Sequence, residues 1–317
     1  MKAIGAKLKP WLRWAILGGT LFFLAKVLKE NWQSVTQLQI SASGWAGLAI
    51  ALGVTLLAHT FAGWVWSQIL RDFRQPIDRG WIIQAYLKTN IAKYLPGNIW
   101  HYYGRITAAT TAGASLAAST VSVLLEPLLM AASALLIALL CSQQIVAKYG
   151  FPAIVLQVAG LVAVLLSVHP IVLNQLIQRL SRAKVPANRE AADSSSPFRL
   201  DHYPIVPLLG ELGFLLLRGL GFLITFLALS PIAPAQILLV LSAFSVAWLL
   251  GLVVPGAPGG IGVFEATAIA LLDQLFSPGV ILSVVACYRL ISILAETAGA
   301  GLAQLDAQLS RMSELGK

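Results

Sequence analysis

Two short turns, each broken by proline and glycine inside apolar sequence, restrict this chain more than any other feature. The first lies in Lys93-Tyr94-Leu95-Pro96-Gly97-Asn98-Ile99-Trp100-His101-Tyr102-Tyr103-Gly104-Arg105, and the second in Val254-Pro255-Gly256-Ala257-Pro258-Gly259-Gly260-Ile261-Gly262-Val263-Phe264-Glu265. Both contain the step Pro-Gly-X-Ile, at Pro96 and again at Pro258. Proline removes an amide donor and clashes with the preceding turn, while glycine opens left-handed backbone, so no helix runs straight through either stretch.

The surroundings make those breaks costly. Of 317 residues, 58% are hydrophobic and 11% charged, against about a quarter charged in soluble domains. The chain therefore reads as an integral membrane protein. Its net charge of +9 then serves topology first, by holding basic loops in the cytoplasm, and nucleic acid is not expected as a partner. Cys141 and Cys287 both fall in apolar segments, so no disulfide framework is implied. Lys2, Lys7, Lys9 and Arg13 precede the apolar run Trp14 to Leu28 as in a signal peptide, but no small-residue cleavage site follows, and the run is expected to stay as a first span.

Apolar segments of about the 20 residues that cross a bilayer core lie near 11–29, 43–70, 114–141, 151–168, 205–229 and 280–305, giving six expected full spans. Two further pairs, 80–95 with 98–111 and 236–254 with 261–276, are each split by a Pro-Gly turn. The basic segments fix the sense of crossing. The N-terminal tail, the loop with Arg71, Arg74 and Arg79, and the segment with Arg179, Arg182, Lys184, Arg189 and Arg199 should all be cytoplasmic. Between the second and third of these, the spans 114–141 and 151–168 already return the chain to its starting side. The pair 80–111 must then make no net crossing, and its short halves suit a re-entrant hairpin entering from the cytoplasm. By the same count, 236–276 dips in from outside. The expected architecture is an all-α polytopic membrane protein with about six transmembrane helices and two oppositely oriented re-entrant hairpins. It forms a single transmembrane domain over residues 1–317, with an inverted repeat of 43–141 and 205–305 joined by a cytoplasmic linker, 169–204.

Non-helical backbone at membrane depth has to be satisfied by protein or by a water-filled cavity. Two breaks imply such a cavity, and the amides at the start of a half-helix suit an anion. Charges inside the bilayer are functional candidates by default; here they are Lys88, Lys93, His101, Arg105, Glu126, Glu211, Arg218, Glu265, Arg289 and Glu296. Lys88 is placed to snorkel from a boundary. Glu211 with Arg218, and Arg289 with Glu296, are seven residues apart on one helix face and could join a structural ion-pair network. The residues expected to bind substrate are Lys93, Pro96, Gly97, Asn98, Arg105, Glu126, Arg218, Pro258, Gly259, Gly260, Glu265 and Arg289. Lys93, Arg105 and Arg289 would neutralise a phosphate; Glu126 and Glu265 would meet a headgroup cation or relay a proton. Tyr94, Trp100, Tyr102 and Tyr103 suit either a headgroup groove or the interfacial belt, and Trp11, Trp14, Trp32, Trp45 and Trp81 the belt. His59 and His169 read as incidental. No metal-ligand cluster, P-loop or nucleophile elbow is present, so no cofactor and no metal are expected.

In Lys93-Tyr94-Leu95-Pro96-Gly97-Asn98, in the downstream Glu126, and in Pro255 to Glu265 with its Pro-Gly-Gly-Ile-Gly core, the chain resembles the family named for the transmembrane region of lysylphosphatidylglycerol synthase. That region is also the flippase half of the multiple peptide resistance factor. The resemblance implies a multi-pass protein of the bacterial inner membrane that moves a polar lipid headgroup through a cavity formed by both hairpins; the basic N-terminal tail and the tail with Arg311 and Lys317 place both termini in the cytoplasm. The bifunctional synthases carry a soluble aminoacyl-transfer domain after this region. The chain ends at Lys317, so it is not expected to synthesise lysylphosphatidylglycerol itself.

The function these features point to is a lipid flippase or transporter handling an anionic phospholipid or a polyprenyl-phosphate-linked headgroup. Two alternatives stand beside it: an intramembrane transferase using a lipid-linked donor with Glu126 or Glu265 as base, and a non-catalytic membrane subunit of a lipid-modifying complex. The expected partners are the membrane lipid, a separately encoded synthase or glycosyltransferase, and a second copy of the chain.

Overall fold

Each long apolar run folds into a helix, because no other single segment satisfies its own backbone polar groups in lipid. The computed structural model describes residues 29, 40–94, 99–140, 146, 149–182, 199–254 and 258–315. Residues 11–28 of the expected first span, the tip Pro96-Gly97-Asn98 and residues 183–198 of the 169–204 linker lie outside the described residues. Helix α1 (Ala42–Asp72) begins at Ser41, whose hydroxyl accepts from the Gly44 amide. Helix α2 (Arg79–Asn90) is capped by Asp78 in the same way and tightens into a 3₁₀ turn, Ile91–Tyr94. Helix α3 (Trp100–Thr111), α4 (Leu116–Leu139), α5 (Phe151–Ser167) and α6 (Pro170–Arg182) follow. The second half contains α7 (Ile205–Leu229), α8 (Ile237–Val253) with a short 3₁₀ lead-in, a 3₁₀ turn at Pro258–Gly260, α9 (Val263–Leu272) and the long α10 (Pro278–Leu315).

Five described helices are long and apolar enough to cross a membrane, and a sixth span results if α5 and α6, bent by 56°, count as one. Large apolar side chains such as Leu57, Leu124, Leu156, Leu216 and Leu294 stay exposed along them, as a lipid-facing surface requires. The protein is an all-α, multi-pass membrane protein.

Side-chain contacts place the helix ends. Arg74, just after α1, pairs with Asp201, just before α7, at 2.6 Å. Gln84 near the start of α2 donates to Asp306 near the end of α10 at 2.6 Å, and the Ser115 amide at the start of α4 reaches Gln75 at 2.9 Å. One face of the molecule therefore carries the end of α1, both outer ends of the α2–α3 hairpin, and the end of α10. This is the face of Arg71, Arg74, Arg79 and Arg199. At the other face Gly44 of α1 lies against Ala228 of α7, and Phe276 after α9 stacks on Phe226 of α7 at 4.6 Å. The α8–α9 hairpin opens there. The two hairpins thus enter from opposite faces, as charge counting along the sequence requires.

Packing between the halves is paired. Helix α8 lies on α4 as α2 lies on α10, and α7 lies on α4 as α1 lies on α10. Helices α1 and α7 are neighbours along their length through small residues. A Cβ on Gly44 would stand 2.7 Å from the Ala228 carbonyl oxygen, and one on Gly221 2.7 Å from Thr55 Oγ1. Such close approach is how membrane helices gain packing energy where burial from water supplies none.

Two features depart from expectation. The hairpins are unequal: α2 and α3 have 12 residues each, too short to cross, whereas α8 with its lead-in reaches 20 residues and only α9, with 10, is short. The start of the expected linker is also helical. Helix α6 buries Leu173 and Ile177 against Ile69, Phe73 and Leu200 while exposing Ile171, Val172 and Leu176. Its Asn174 holds the Leu200 backbone by two bonds of 2.8 and 2.9 Å. A helix with this division of faces lies naturally at a membrane interface.

Candidate functional site

The turns at the inner ends of the hairpins meet in the middle of the bundle. Tyr94, closing the first 3₁₀ turn, lies against Gly259 of the second, where a Cβ would stand 3.1 Å from the tyrosine ring. Gly259, Gly260 and Gly262 have φ of 59°, 72° and 82°, the left-handed region that glycine adopts without strain. Gly260 also abuts Gly251 of α8, so the turn folds back on its own helix backbone to backbone. Only glycine fits at this crossing.

Beside the contact lies a cavity of about 150 Å³, lined by Lys93, Tyr94, Arg218, Gly259, Gly260 and Arg289 among others. A second chamber of about 100 Å³ shares Lys93, His101, Tyr102, Arg218, Trp248 and Leu252 with it and adds His59, Asn90, Arg105 and Glu126. The two chambers lie side by side between the hairpins and share those residues as walls. A larger open cleft of about 580 Å³ lies elsewhere, between α6 and residues 199–203 at the basic face, and contains none of the charges described below.

Three groups of charges surround the central space. In the first, Arg105 pairs with Glu126 at 2.5 Å, Tyr86 donates to the other Glu126 oxygen at 2.8 Å, and the guanidinium lies 3.7 Å from the Tyr86 ring centroid. Pro127 follows Glu126 inside α4; a proline there removes one helical hydrogen bond and loosens the helix at the carboxylate. In the second group, Arg289 holds Glu265 Oε1 through two nitrogens at 2.8 and 2.5 Å and donates to the Gly259 carbonyl at 3.1 Å. Glu265 turns its other oxygen back to the Gly262 amide. That amide was expected to be open to an anion; it is instead capped by its own helix. Helix α3, by contrast, has no side-chain cap.

The third group links four helices. Lys93 Nζ stands 2.6 Å from Glu296 Oε1, His59 Nε2 stands 3.1 Å from the same oxygen, and Arg218 stands 3.2 Å from His59 Nε2. The hydrogen-bond roles follow from the chain of partners. Arg105 donates to Asn90 Oδ1 at 3.2 Å, which turns the Asn90 amide nitrogen toward His59 Nδ1 at 3.4 Å. His59 then accepts at Nδ1 and carries its hydrogen on Nε2, where it donates to Glu296. Arg218 consequently finds no acceptor at that nitrogen. Its Nε has no partner either, no carboxylate of the described residues lies within 4 Å, and the residue is only 7% exposed. Its guanidinium faces the Tyr288 ring at 5.0 Å.

Of the residues singled out from sequence, Lys93, Arg218, Gly259, Gly260 and Arg289 line the main chamber, and Arg105 and Glu126 the adjoining one. Glu265 sits behind Arg289. Pro258 opens the second turn, and Pro96, Gly97 and Asn98 lie outside the described residues. The two seven-residue pairs do not form. Residues seven apart on a helix are separated by about 10.5 Å along the axis; Arg289 pairs instead with Glu265 and Glu296 with Lys93, each on another element, while Glu211 and Arg218 find no charged partner among the described residues. Glu211 is buried with neither carboxylate oxygen partnered. His59, read as incidental, is central, and Asn90, Tyr86 and Glu296 complete its network. The signal for His59 was present: a histidine within a span is itself an intramembrane ionisable group.

A family model described as "Lysylphosphatidylglycerol synthase TM region" matches residues 11–299 of the chain. No curated protein matches it.

Proposed function

Because the chain belongs to the lysylphosphatidylglycerol synthase transmembrane-region family, a family of membrane-lipid function, we propose that it is a flippase-like transporter. It receives the anionic headgroup of a phospholipid or polyprenyl-phosphate lipid in the space between its hairpins. The observation that carries this reading is Arg218: a buried cation without a carboxylate among the described residues, at the wall of a chamber that also presents Lys93 and Arg289. An unpaired buried guanidinium is expensive, and a phosphate oxygen is the acceptor its geometry suits best.

The walls divide the labour. Lys93, Arg218 and Arg289 face the phosphate; Gly259 and Gly260 let it approach backbone; Trp248, Leu252, Phe264 and Val285 accept the apolar part of the lipid next to the headgroup. Arg105 and Glu126 neutralise each other and shape the inner chamber, while Glu265 holds Arg289 in place. The two halves, 43–141 and 205–305, act as an inverted repeat, and rocking one against the other about the contact of Tyr94 with Gly259 opens the chamber to each leaflet in turn. The basic face is cytoplasmic, in the inner membrane of a bacterium.

The test is transbilayer movement in vesicles of phosphatidylcholine and phosphatidylglycerol. Reconstituted protein should accelerate inward movement of a fluorescent phosphatidylglycerol over protein-free vesicles, and a zwitterionic phosphatidylcholine much less. Equal rates with and without protein would reject the reading.

A further inference from the structure

An incoming phosphate competes with Glu296 for the single charge of Lys93. It is one of two close donors to Glu296, the other being His59, and its ammonium is partly open to the chamber, with 22% of its side chain exposed against none of Glu296. When a phosphate enters, its charge draws on both Lys93 and Arg218, which line the same chamber. Glu296 is then left with the neutral His59, whose Nδ1 is already held by Asn90. A lone carboxylate in such a place costs several kcal/mol. Its Oε2 is buried and has no hydrogen-bond partner, so a proton can be added there without breaking any contact.

We propose that the protein carries one proton with each anionic headgroup, and that Glu296 is the proton site. This rests on the transporter reading above. The groups facing Glu296 are His59 from α1, Lys93 and Tyr94 from the first turn, and Arg218 from α7; on its own helix Arg289 is engaged by Glu265. Of the two cations that face Glu296 and border the chamber, Lys93 is the one in direct contact with the carboxylate. The balance is simple. The phosphate enters with one negative charge, Lys93 keeps its positive charge and changes partner, and one proton from water binds Glu296 Oε2. The loaded site has the net charge of the empty one, so the translocating step moves no net charge. Release on the far side returns Lys93 to Glu296 and expels the proton there.

Two measurements on the full chain test this. The first uses vesicles loaded with a pH-sensitive dye. Movement of fluorescent phosphatidylglycerol should be accompanied by about one proton per lipid, a pH difference of one unit should sustain about a tenfold lipid asymmetry, and an imposed membrane potential should change neither. The second is calorimetric titration of the detergent-solubilised protein with dihexanoyl phosphatidylglycerol in two buffers of different ionisation enthalpy, which should report uptake of about one proton on binding. In Glu296→Gln that uptake should fall to about zero. Lipid movement without proton flux, or binding with no buffer dependence in the wild-type protein, would overturn the coupling and leave the transporter reading standing. No lipid movement under any gradient would overturn both. Should Glu296→Gln not fold, the wild-type flux and calorimetry decide alone.

Discussion

Tyr94 and Gly259 lie in contact across the centre of the bundle, with 3.1 Å between the tyrosine ring and the place a Cβ on the glycine would take. Each belongs to a hairpin that enters from the opposite face, and their contact is where the two halves of the chain meet at depth.

Gly259→Ala should therefore be harmful for two separable reasons. The φ of 59° costs an L-residue about 1–2 kcal/mol, and the added methyl meets Tyr94. Thermal unfolding in detergent should show the loss, and pairing the change with Tyr94→Ala should relieve only the steric part. Full recovery in the double variant would mean that the backbone conformation is not as described.

The Arg105–Glu126 pair is buried on both sides, with side-chain exposures of 3% and 2%. Removing one partner leaves the other uncompensated, so Arg105→Ala and Glu126→Ala should each lose about 3–5 kcal/mol. Replacing both should lose less than the sum, giving a coupling energy in a double-mutant cycle. Additive losses would show that the two do not interact.

Where α1 meets α7, Gly44→Ala should lose about 1–3 kcal/mol by overpacking, because its methyl would face a backbone oxygen at 2.7 Å that no rotamer change can move. Gly53 of the same helix has nothing within 4 Å of its Cβ position. Gly53→Ala should be neutral or stabilising by up to about 1 kcal/mol. Equal melting shifts for the two would contradict the packing.

Much of this arrangement was legible in the sequence, because the forces that set it are local. Spans appear as apolar runs, the two breaks as Pro-Gly steps, and the opposed entry of the hairpins from the positions of Arg71, Arg74, Arg79 and Arg199. The charged walls at Lys93, Arg105, Glu126, Arg218 and Arg289 followed from the cost of placing charge in lipid. What did not follow is who pairs with whom. Lys93 and Glu296 are 203 residues apart, and Asn90 and His59 are 31 apart on different helices; only helix packing decides such contacts. Helix α6 was hidden for another reason. With 13 residues it is too short to register as a span, and its polar face resembles a loop.

Arg289 ties Gly259 and Glu265 to α10. Arg289→Lys keeps the charge but loses the fork that grips both. It should slow lipid movement about tenfold or more while shifting the melting temperature little; an unchanged rate would remove Arg289 from the site.

The central claim is that a lipid phosphate is received at Arg218 in the chamber between the hairpins. The ratio of phosphatidylglycerol to phosphatidylcholine movement in proteoliposomes, compared between wild-type protein and Arg218→Gln, tests it most directly. The account predicts a high ratio for the wild-type protein and a fall of at least about tenfold for Arg218→Gln, the equivalent of about 1.4 kcal/mol, with Lys93→Gln intermediate. A ratio unchanged by Arg218→Gln in folded protein would contradict it.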